Sequence, residues 1–159
     1  MSRFRSAALV LAAAAVATSL SGCATTVTIK PADDANNPLC ADVSVRLPGT
    51  VAGLDRRWTD AQATGAWGEP SAVLLTCGVA PPGPTTLPCQ SVDGVDWIID
   101  DSDAPRYRFT TYGRTPAVEV YLDYDVVSGN DALQKLSPII GQLPVDAECV
   151  AREDATPAP

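Results

Sequence analysis

Hydrophobic and polar residues follow strand-like patterns in five short stretches of the chain. Three of the stretches alternate apolar and polar positions, as is typical of strands that bury one face, and two are almost continuously apolar. The five stretches are "ADVSVRLP" (41–48), "SAVLLTCGV" (71–79), "VDWIID" (95–100), "RYRFTTYGR" (106–114) and "AVEVYLDYDV" (117–126). The last two are joined by "YGRTP", a sequence that predicts a hairpin turn.

A helical pattern follows the last of these stretches. Apolar side chains recur at helical spacing at Leu133, Leu136, Ile140 and Leu143, with Asn130 as a candidate N-cap and Pro138 as an interruption. Either the helix kinks at Pro138, or Ser137 caps a second short helix. A further short helix is predicted near Asp60–Trp67. The pattern therefore predicts an α+β domain: an antiparallel or mixed sheet of about five strands, with one main C-terminal helix packed on a face.

The beginning of the chain has the features of an export signal. Arg3 and Arg5 precede an uninterrupted apolar run from Ala7 to Ala17, which is too short to span a membrane. Leu20-Ser21-Gly22-Cys23 follows and resembles the lipobox of bacterial lipoproteins. That resemblance implies that Cys23 becomes an N-terminus carrying acyl chains such as palmitate, on the extracytoplasmic face of the cell membrane. The alternative is an ordinary signal that is cleaved nearby, with Cys23 uninvolved.

This interpretation divides the chain into four parts. We expect a lipoprotein signal peptide at 1–22, a flexible tether from lipidated Cys23 at 23–38, a single domain at 39–149 and a disordered tail at 150–159.

Charge and composition exclude several classes of function. After residue 22 the chain carries 9 basic and 19 acidic residues, a net charge of −10. Nucleic acid requires a basic surface, so it is excluded as a partner, and an acidic chain does not adhere to anionic lipid by charge. The absence of histidine excludes Ser-His-Asp triads, Cys-His dyads and histidine-ligated zinc. We expect no cofactor.

The four cysteines after Cys23 form an even set, which in an exported protein indicates two disulfides. They are Cys40, Cys77, Cys89 and Cys149. Three pairings are open, and we favour Cys77–Cys89 across the proline-rich loop with Cys40–Cys149 joining the two ends of the domain. A zinc site is the alternative, but the spacing contains no C-x2-C pair.

Three longer blocks resemble a known family. The blocks are "AWGEPSAVLLTCGV", "VDGVDW" and "FTTYGRTPAVEVYL", and the similarity covers residues 38–149. They look like the signature of an actinobacterial family of lipoproteins and secreted proteins made of a single domain of unknown function. The resemblance implies a cell-envelope protein and supplies no catalytic residues. The abundance of alanine and arginine also suggests a GC-rich actinobacterial genome.

Four residues are candidates for recognition: Arg114, Tyr112, Trp67 and Trp97. Arginine beside aromatic side chains is common in binding sites. The alternatives are that Arg114 pairs with Glu119 to brace the hairpin and that both tryptophans belong to the core.

Two groups of carboxylates are further candidates. Asp100, Asp101 and Asp103 could bind calcium, but their spacing does not fit an EF-hand, so a solvated turn is the simpler interpretation. Asp123 and Asp125 are expected on one strand face, where paired carboxylates could act in glycoside hydrolysis.

Two classes of function follow. The first is a lipid-anchored, non-enzymatic accessory or binding domain of the cell envelope, whose partner is another envelope protein or a cell-wall component. The second is an envelope enzyme that acts on cell-wall glycan or peptide through carboxylates. Pocket-lining Trp67, Trp97 and Arg114 would favour the first, and two facing carboxylates in a cleft would favour the second.

Overall fold

The computed structural model describes residues 25–150 as an eight-stranded antiparallel sheet with two helices. In chain order the elements are α1 (Pro38–Arg46), β1 (Thr50–Val51), β2 (Leu54–Arg57), β3 (Thr64–Trp67), β4 (Val73–Val79), β5 (Cys89–Val92), β6 (Val95–Asp103), β7 (Arg106–Thr111), β8 (Ala117–Asp123) and α2 (Gly129–Ile140). Strand order across the sheet is β1-β2-β3-β4-β8-β7-β6-β5. The predictions for Cys23, the signal peptide and residues 151–159 lie outside the described residues.

The prediction of an α+β domain with about five strands is wrong, because the sheet has eight strands. Strands β4, β6, β7 and β8 form where the pattern places them, and β7 and β8 form the predicted hairpin with Phe109 opposite Val120. Strands β1, β2, β3 and β5 were missed. They have two to four residues each, too few to show a period.

Residues 41–48, predicted to be a strand, contain most of helix α1. Asn37 caps the helix by accepting a hydrogen bond from the Leu39 N–H at 3.0 Å, and Pro38 occupies the first turn, where its missing N–H costs nothing. Cys40 and Val43 are buried three residues apart on one helix face, whereas Val45 is exposed. The alternation of Val43 and Val45 with polar residues is therefore not the signature of a strand here.

The prediction of a short helix near Asp60–Trp67 is also wrong, because strand β3 occupies the second half of that range. Thr64, Gly65, Ala66 and Trp67 are all buried, between β2 and β4. A Cβ on Gly65 would come within 2.8 Å of the Leu47 side chain. A run of small residues in a sequence is typical of a helix or a loop, but in β3 the close packing requires small side chains.

Helix α2 is a single helix that runs through Pro138. Its N-cap is Ser128, whose hydroxyl accepts from the Asp131 N–H at 3.4 Å, and not Asn130 as predicted. Leu133, Leu136 and Ile140 are buried against the sheet, as their spacing indicates.

The two faces of the sheet differ in polarity. One face carries the core together with both helices, and residues paired across strands share that face, such as Phe109, Val120 and Leu75. The opposite face carries half-exposed or exposed polar residues, including Thr76, Arg108, Thr110, Glu119 and Tyr121. We call it the open face.

Two disulfides are present, as predicted, but the favoured pairing is wrong. The bonds are Cys40–Cys77 and Cys89–Cys149, with Cα atoms 5.5 Å and 6.0 Å apart. Strands β8, β7 and β6 lie between β4, which carries Cys77, and β5, which carries Cys89. At about 4.8 Å per strand spacing, these two residues are roughly 19 Å apart, too far for a bond.

The segment before α1 lies along the domain. The Val27 N–H donates to the Trp58 carbonyl at 2.8 Å, and the Asp34 N–H donates to the Gly78 carbonyl at 3.2 Å. Ala35 is buried in the core. Within residues 25–150, no helix is both long and apolar enough to cross a membrane.

Candidate functional site

Arg114 is a buried residue at the end of the β7–β8 hairpin, with 4% of its surface exposed. Its Nη1 donates to the carbonyls of Leu143 at 2.6 Å and Gly141 at 3.2 Å, and its Nη2 donates to the Gly94 carbonyl at 2.9 Å. Burial lowers its pKa and the nearby Asp96 carboxylate opposes that shift. This geometry fits the bracing alternative, but the partners are backbone carbonyls of the β5–β6 turn and of the segment after α2, and not Glu119.

Both tryptophans proposed for recognition lie in the core. Trp67 and Trp97 have no exposed surface, and the Trp67 Nε1 donates to the Pro48 carbonyl at 3.0 Å. The Trp97 Nε1 has no hydrogen-bond partner within the part of the chain that the structure describes. Neither ring is placed to act as a surface platform.

Tyr112 is the one recognition candidate that reaches the surface. It is half-buried and lines two neighbouring cavities, one of about 830 Å³ and one of about 360 Å³. Arg114 and Asp96 line the smaller cavity together with Tyr112, but they do not line the larger one. The structure thus brings Tyr112 and Arg114 together but does not bring the two tryptophans to them.

The larger cavity is a groove beside the Cys89–Cys149 disulfide. Its lining includes Leu87 and Pro88 of the proline-rich loop, Ile98 of β6, Tyr112 and Val150. The disulfide and a 2.6 Å hydrogen bond from the Cys149 N–H to Asp96 fix the C-terminal segment along this groove. We call it the loop groove, and its exposed apolar side chains suit contact with a partner.

Beyond the loop groove, the open face carries an arginine that contacts two carboxylates and a tyrosine ring; we call these four residues the Arg108 cluster. Arg108 lies 3.2 Å from the Glu119 carboxylate and 3.8 Å from the Asp100 carboxylate, and its guanidinium lies 5.4 Å from the centre of the Tyr121 ring. Ile98 in the groove and Asp100 point the same way along β6. The groove and this Arg108 cluster therefore form one continuous surface.

The two carboxylates of the Arg108 cluster have pKa values shifted in opposite directions. Hydrogen bonds from the Ser102 side chain and backbone lower the pKa of Asp100, with Arg108 as a smaller cause. Burial raises the pKa of Glu119, and Arg108 opposes that shift. Such divergence occurs at acid–base pairs, but here one arginine contacts both carboxylates.

The other carboxylate candidates do not form the expected pair. Strand β8 ends at Asp123, and the Asp125 N–H donates to the Asp123 side chain at 3.0 Å in the turn that follows. The prediction that these two share a strand face is therefore wrong. Asp100, Asp101 and Asp103 lie at the end of β6, and residues 25–150 contain no cluster of three or more His, Cys, Asp or Glu residues suited to a metal.

Sequence reasoning missed the open face as a site. The hairpin prediction already places Arg108 and Thr110 on one face of β7, and Glu119 and Tyr121 on one face of β8. Their common surface was available from that register. The loop groove was not, because it depends on the disulfide pairing that brings Cys149 to Cys89.

Comparison with known proteins gives one match. A family model described as "Protein of unknown function (DUF3515)" matches residues 5–147. No curated protein and no solved structure matches the chain.

Proposed function

As the chain belongs to the DUF3515 family of proteins of unknown function, we propose that it is a lipid-anchored binding domain of the actinobacterial cell envelope. In this proposal Cys23 carries the anchor, the domain lies at the outer face of the cytoplasmic membrane, and the open face binds an envelope protein or a cell-wall component. The domain performs no catalysis.

The cysteines support an exported, anchored protein. Four of the five are paired in two disulfides, which persist outside the cytoplasm. The fifth, Cys23, ends the Leu-Ser-Gly-Cys motif behind the apolar run. Its sulfur would form a thioether bond to a lipid donor, whose leaving group departs with the bonding electrons while the thiol proton passes to solvent.

The open face is the observation that carries the binding function. A groove of about 830 Å³ with exposed apolar side chains adjoins Arg108, whose guanidinium presents planar donors. An apolar centre with a charged rim is the usual anatomy of a protein interface. We therefore expect a partner that offers apolar groups to Leu87 and Tyr112 and a carboxylate or carbonyl to Arg108.

Crosslinking in intact cells tests this function. A photoreactive amino acid replaces Leu87 on the loop groove, and a matched variant carries it at the exposed Lys135 of α2. We expect one defined adduct from position 87 and none of the same mass from position 135, with loss of the adduct in an Arg108→Ala background. Identical adducts at both positions would contradict a specific open-face partner.

One observation favours the second candidate, an enzyme acting through carboxylates. The pKa values of Glu119 and Asp100 diverge on an accessible surface. If the domain hydrolyses cell-wall glycan or peptide, isolated cell wall should release soluble fragments with the wild type and not with Glu119→Gln. Equal release from both would exclude that chemistry.

Fractionation tests the anchor separately. Cys23→Ala should move the protein from the membrane fraction to the soluble fraction or leave a longer precursor. A Lys135→Ala variant is the control, because it changes an exposed residue of α2 and leaves the motif and both disulfides intact. An unchanged distribution of Cys23→Ala would contradict lipid anchoring.

A further inference from the structure

The structure fixes the chain close to the anchor site. The carbonyl and the hydroxyl of Thr25 both accept hydrogen bonds from the Arg57 Nη2 at 2.7 Å. Val27 then exchanges hydrogen bonds with the segment after β2, donating to Trp58 at 2.8 Å and accepting from Asp60 at 3.2 Å. The chain therefore contacts the domain already at Thr25, which is bound to Arg57 and lies two residues after Cys23.

Two residues allow very little separation. An extended chain covers at most about 3.6 Å per residue, so the Cα of Cys23 lies within roughly 7 Å of the Cα of Thr25. If Cys23 carries acyl chains, the corner formed by Arg56, Arg57 and Trp58 is held at the level of the lipid headgroups. This step rests on the proposed lipid anchor.

Trp58 at this corner is a large, exposed aromatic side chain. It is 78% exposed, whereas Trp67 and Trp97 are completely buried. Tryptophan is enriched at membrane–water interfaces, because its ring is apolar and its N–H remains hydrated. An exposed tryptophan beside an anchor position is thus placed where that preference is satisfied.

Charge distinguishes this corner from the rest of the domain. A hollow of about 470 Å³ beside Trp58 is lined by Arg56 and Arg57 together with small or neutral residues, and none of its described lining residues is acidic. The chain after residue 22 carries 19 acidic residues against 9 basic ones. An anionic bilayer repels such a chain over about 8 Å at physiological salt. Arg56, together with Arg57 in its ion pair with Glu69, weakens that repulsion at this corner.

We propose that the corner formed by Arg56, Arg57 and Trp58 is a membrane-contact surface, with the Trp58 indole inserted among the lipid headgroups. This contact orients the domain on its anchor. The loop groove is formed by other elements, at the opposite end of the strand order, so it stays available to an envelope partner.

The test uses the chain from Cys23 onward, which contains every described element and both disulfides. Cys23 is coupled chemically to a maleimide-bearing lipid in phosphatidylcholine vesicles, so the result does not depend on whether cells lipidate it. The vesicles contain lipids brominated near the headgroup end of the acyl chains, which quench tryptophan only on close approach.

We expect bromolipid quenching of the Trp58 emission and loss of that quenched component in Trp58→Tyr, while the buried Trp67 and Trp97 remain unquenched. Trp58→Tyr should fold normally because the side chain is mostly exposed. Equal quenching of wild type and variant would overturn the membrane-contact surface. Absence of acyl chains on protein from native membranes would instead overturn the proposed anchor, so the two failures are distinguishable.

Discussion

Replacing Arg114 by alanine should destabilise the domain strongly without altering its surface. The guanidinium is buried and donates to the carbonyls of Gly94, Gly141 and Leu143. Two of these carbonyls follow the end of α2, where backbone oxygens lack helical partners. The variant leaves all three carbonyls without their charged donor at a largely buried position.

The magnitude follows from those three hydrogen bonds. Hydrogen bonds to a charged group contribute about 1.5 kcal/mol each at the lower end of the measured range, so the loss of three is about 4.5 kcal/mol. For the 137 residues after residue 22, an unfolding entropy of about 2.1 cal/mol/K per residue converts this loss to roughly 16 °C in Tm. Arg114→Lys should lose less, because it keeps the charge but not the planar fork.

Calorimetry with the disulfides intact measures this loss. Arg108→Ala is the matched control: Arg108 is on the exposed face, and its ion pairs should be worth about 1 kcal/mol or less. If Arg114→Ala unfolds within about 1 kcal/mol of the wild type, the bracing account of Arg114 is wrong.

Three further predictions concern other parts of the domain. Burial raises the pKa of Glu119, so this residue contributes stability at low pH that is lost as pH rises through its folded-state pKa. In urea titrations Glu119→Gln should therefore gain stability relative to wild type as pH rises above the ordinary glutamate pKa, and an opposite slope would refute the raised pKa. Gly113 has a positive φ of 63° and packs directly against the backbone of the C-terminal segment, so Gly113→Ala should lower Tm. Gly83→Ala is the control, because its new Cβ meets no atom within 4 Å, and equal Tm values for the two variants would contradict that packing. Non-reducing peptide mapping should recover the Cys40–Cys77 peptide, and a Cys77 peptide joined to any other cysteine would contradict the fold. Replacing both cysteines by serine should lower the free energy of unfolding by about 4 kcal/mol in the chain-entropy model.

The sequence predicts the long, regular elements well. Strands β4, β7 and β8 have six or seven residues each, and their patterns extend far enough to show a buried face. Helix α2 contains three of the four apolar residues predicted at helical spacing, Leu133, Leu136 and Ile140, all buried in the core, and Leu143 is buried just after the helix ends. Its N-cap was missed because Ser128 and Asn130 are both good capping residues two positions apart.

The short elements depend on contacts that no local pattern shows. Helix α1 forms where Val43 and Val45 alternate with polar residues, because Asn37 and Pro38 start a helix and Cys40 is bonded to β4. Strand β3 consists of small residues that must fit under Leu47. In β3, and in α1 beside its local start signal at Asn37 and Pro38, a long-range contact outweighs the pattern of apolar and polar residues.

The candidate site divides in the same way. The alternation along β7 and β8 already implies the Arg108 cluster, but the burial of Arg114 does not follow from its turn, because its partners come from residues 94, 141 and 143. The loop groove requires the Cys89–Cys149 bond, and four cysteines alone leave three pairings open.

The intact mass of the protein purified from native membranes shows whether Cys23 is a lipidated N-terminus. We expect a chain that begins at Cys23, carries covalently attached acyl chains and has all four remaining cysteines oxidised. A mass without acyl chains, or one that retains residues 1–22, would contradict a lipid-anchored binding domain.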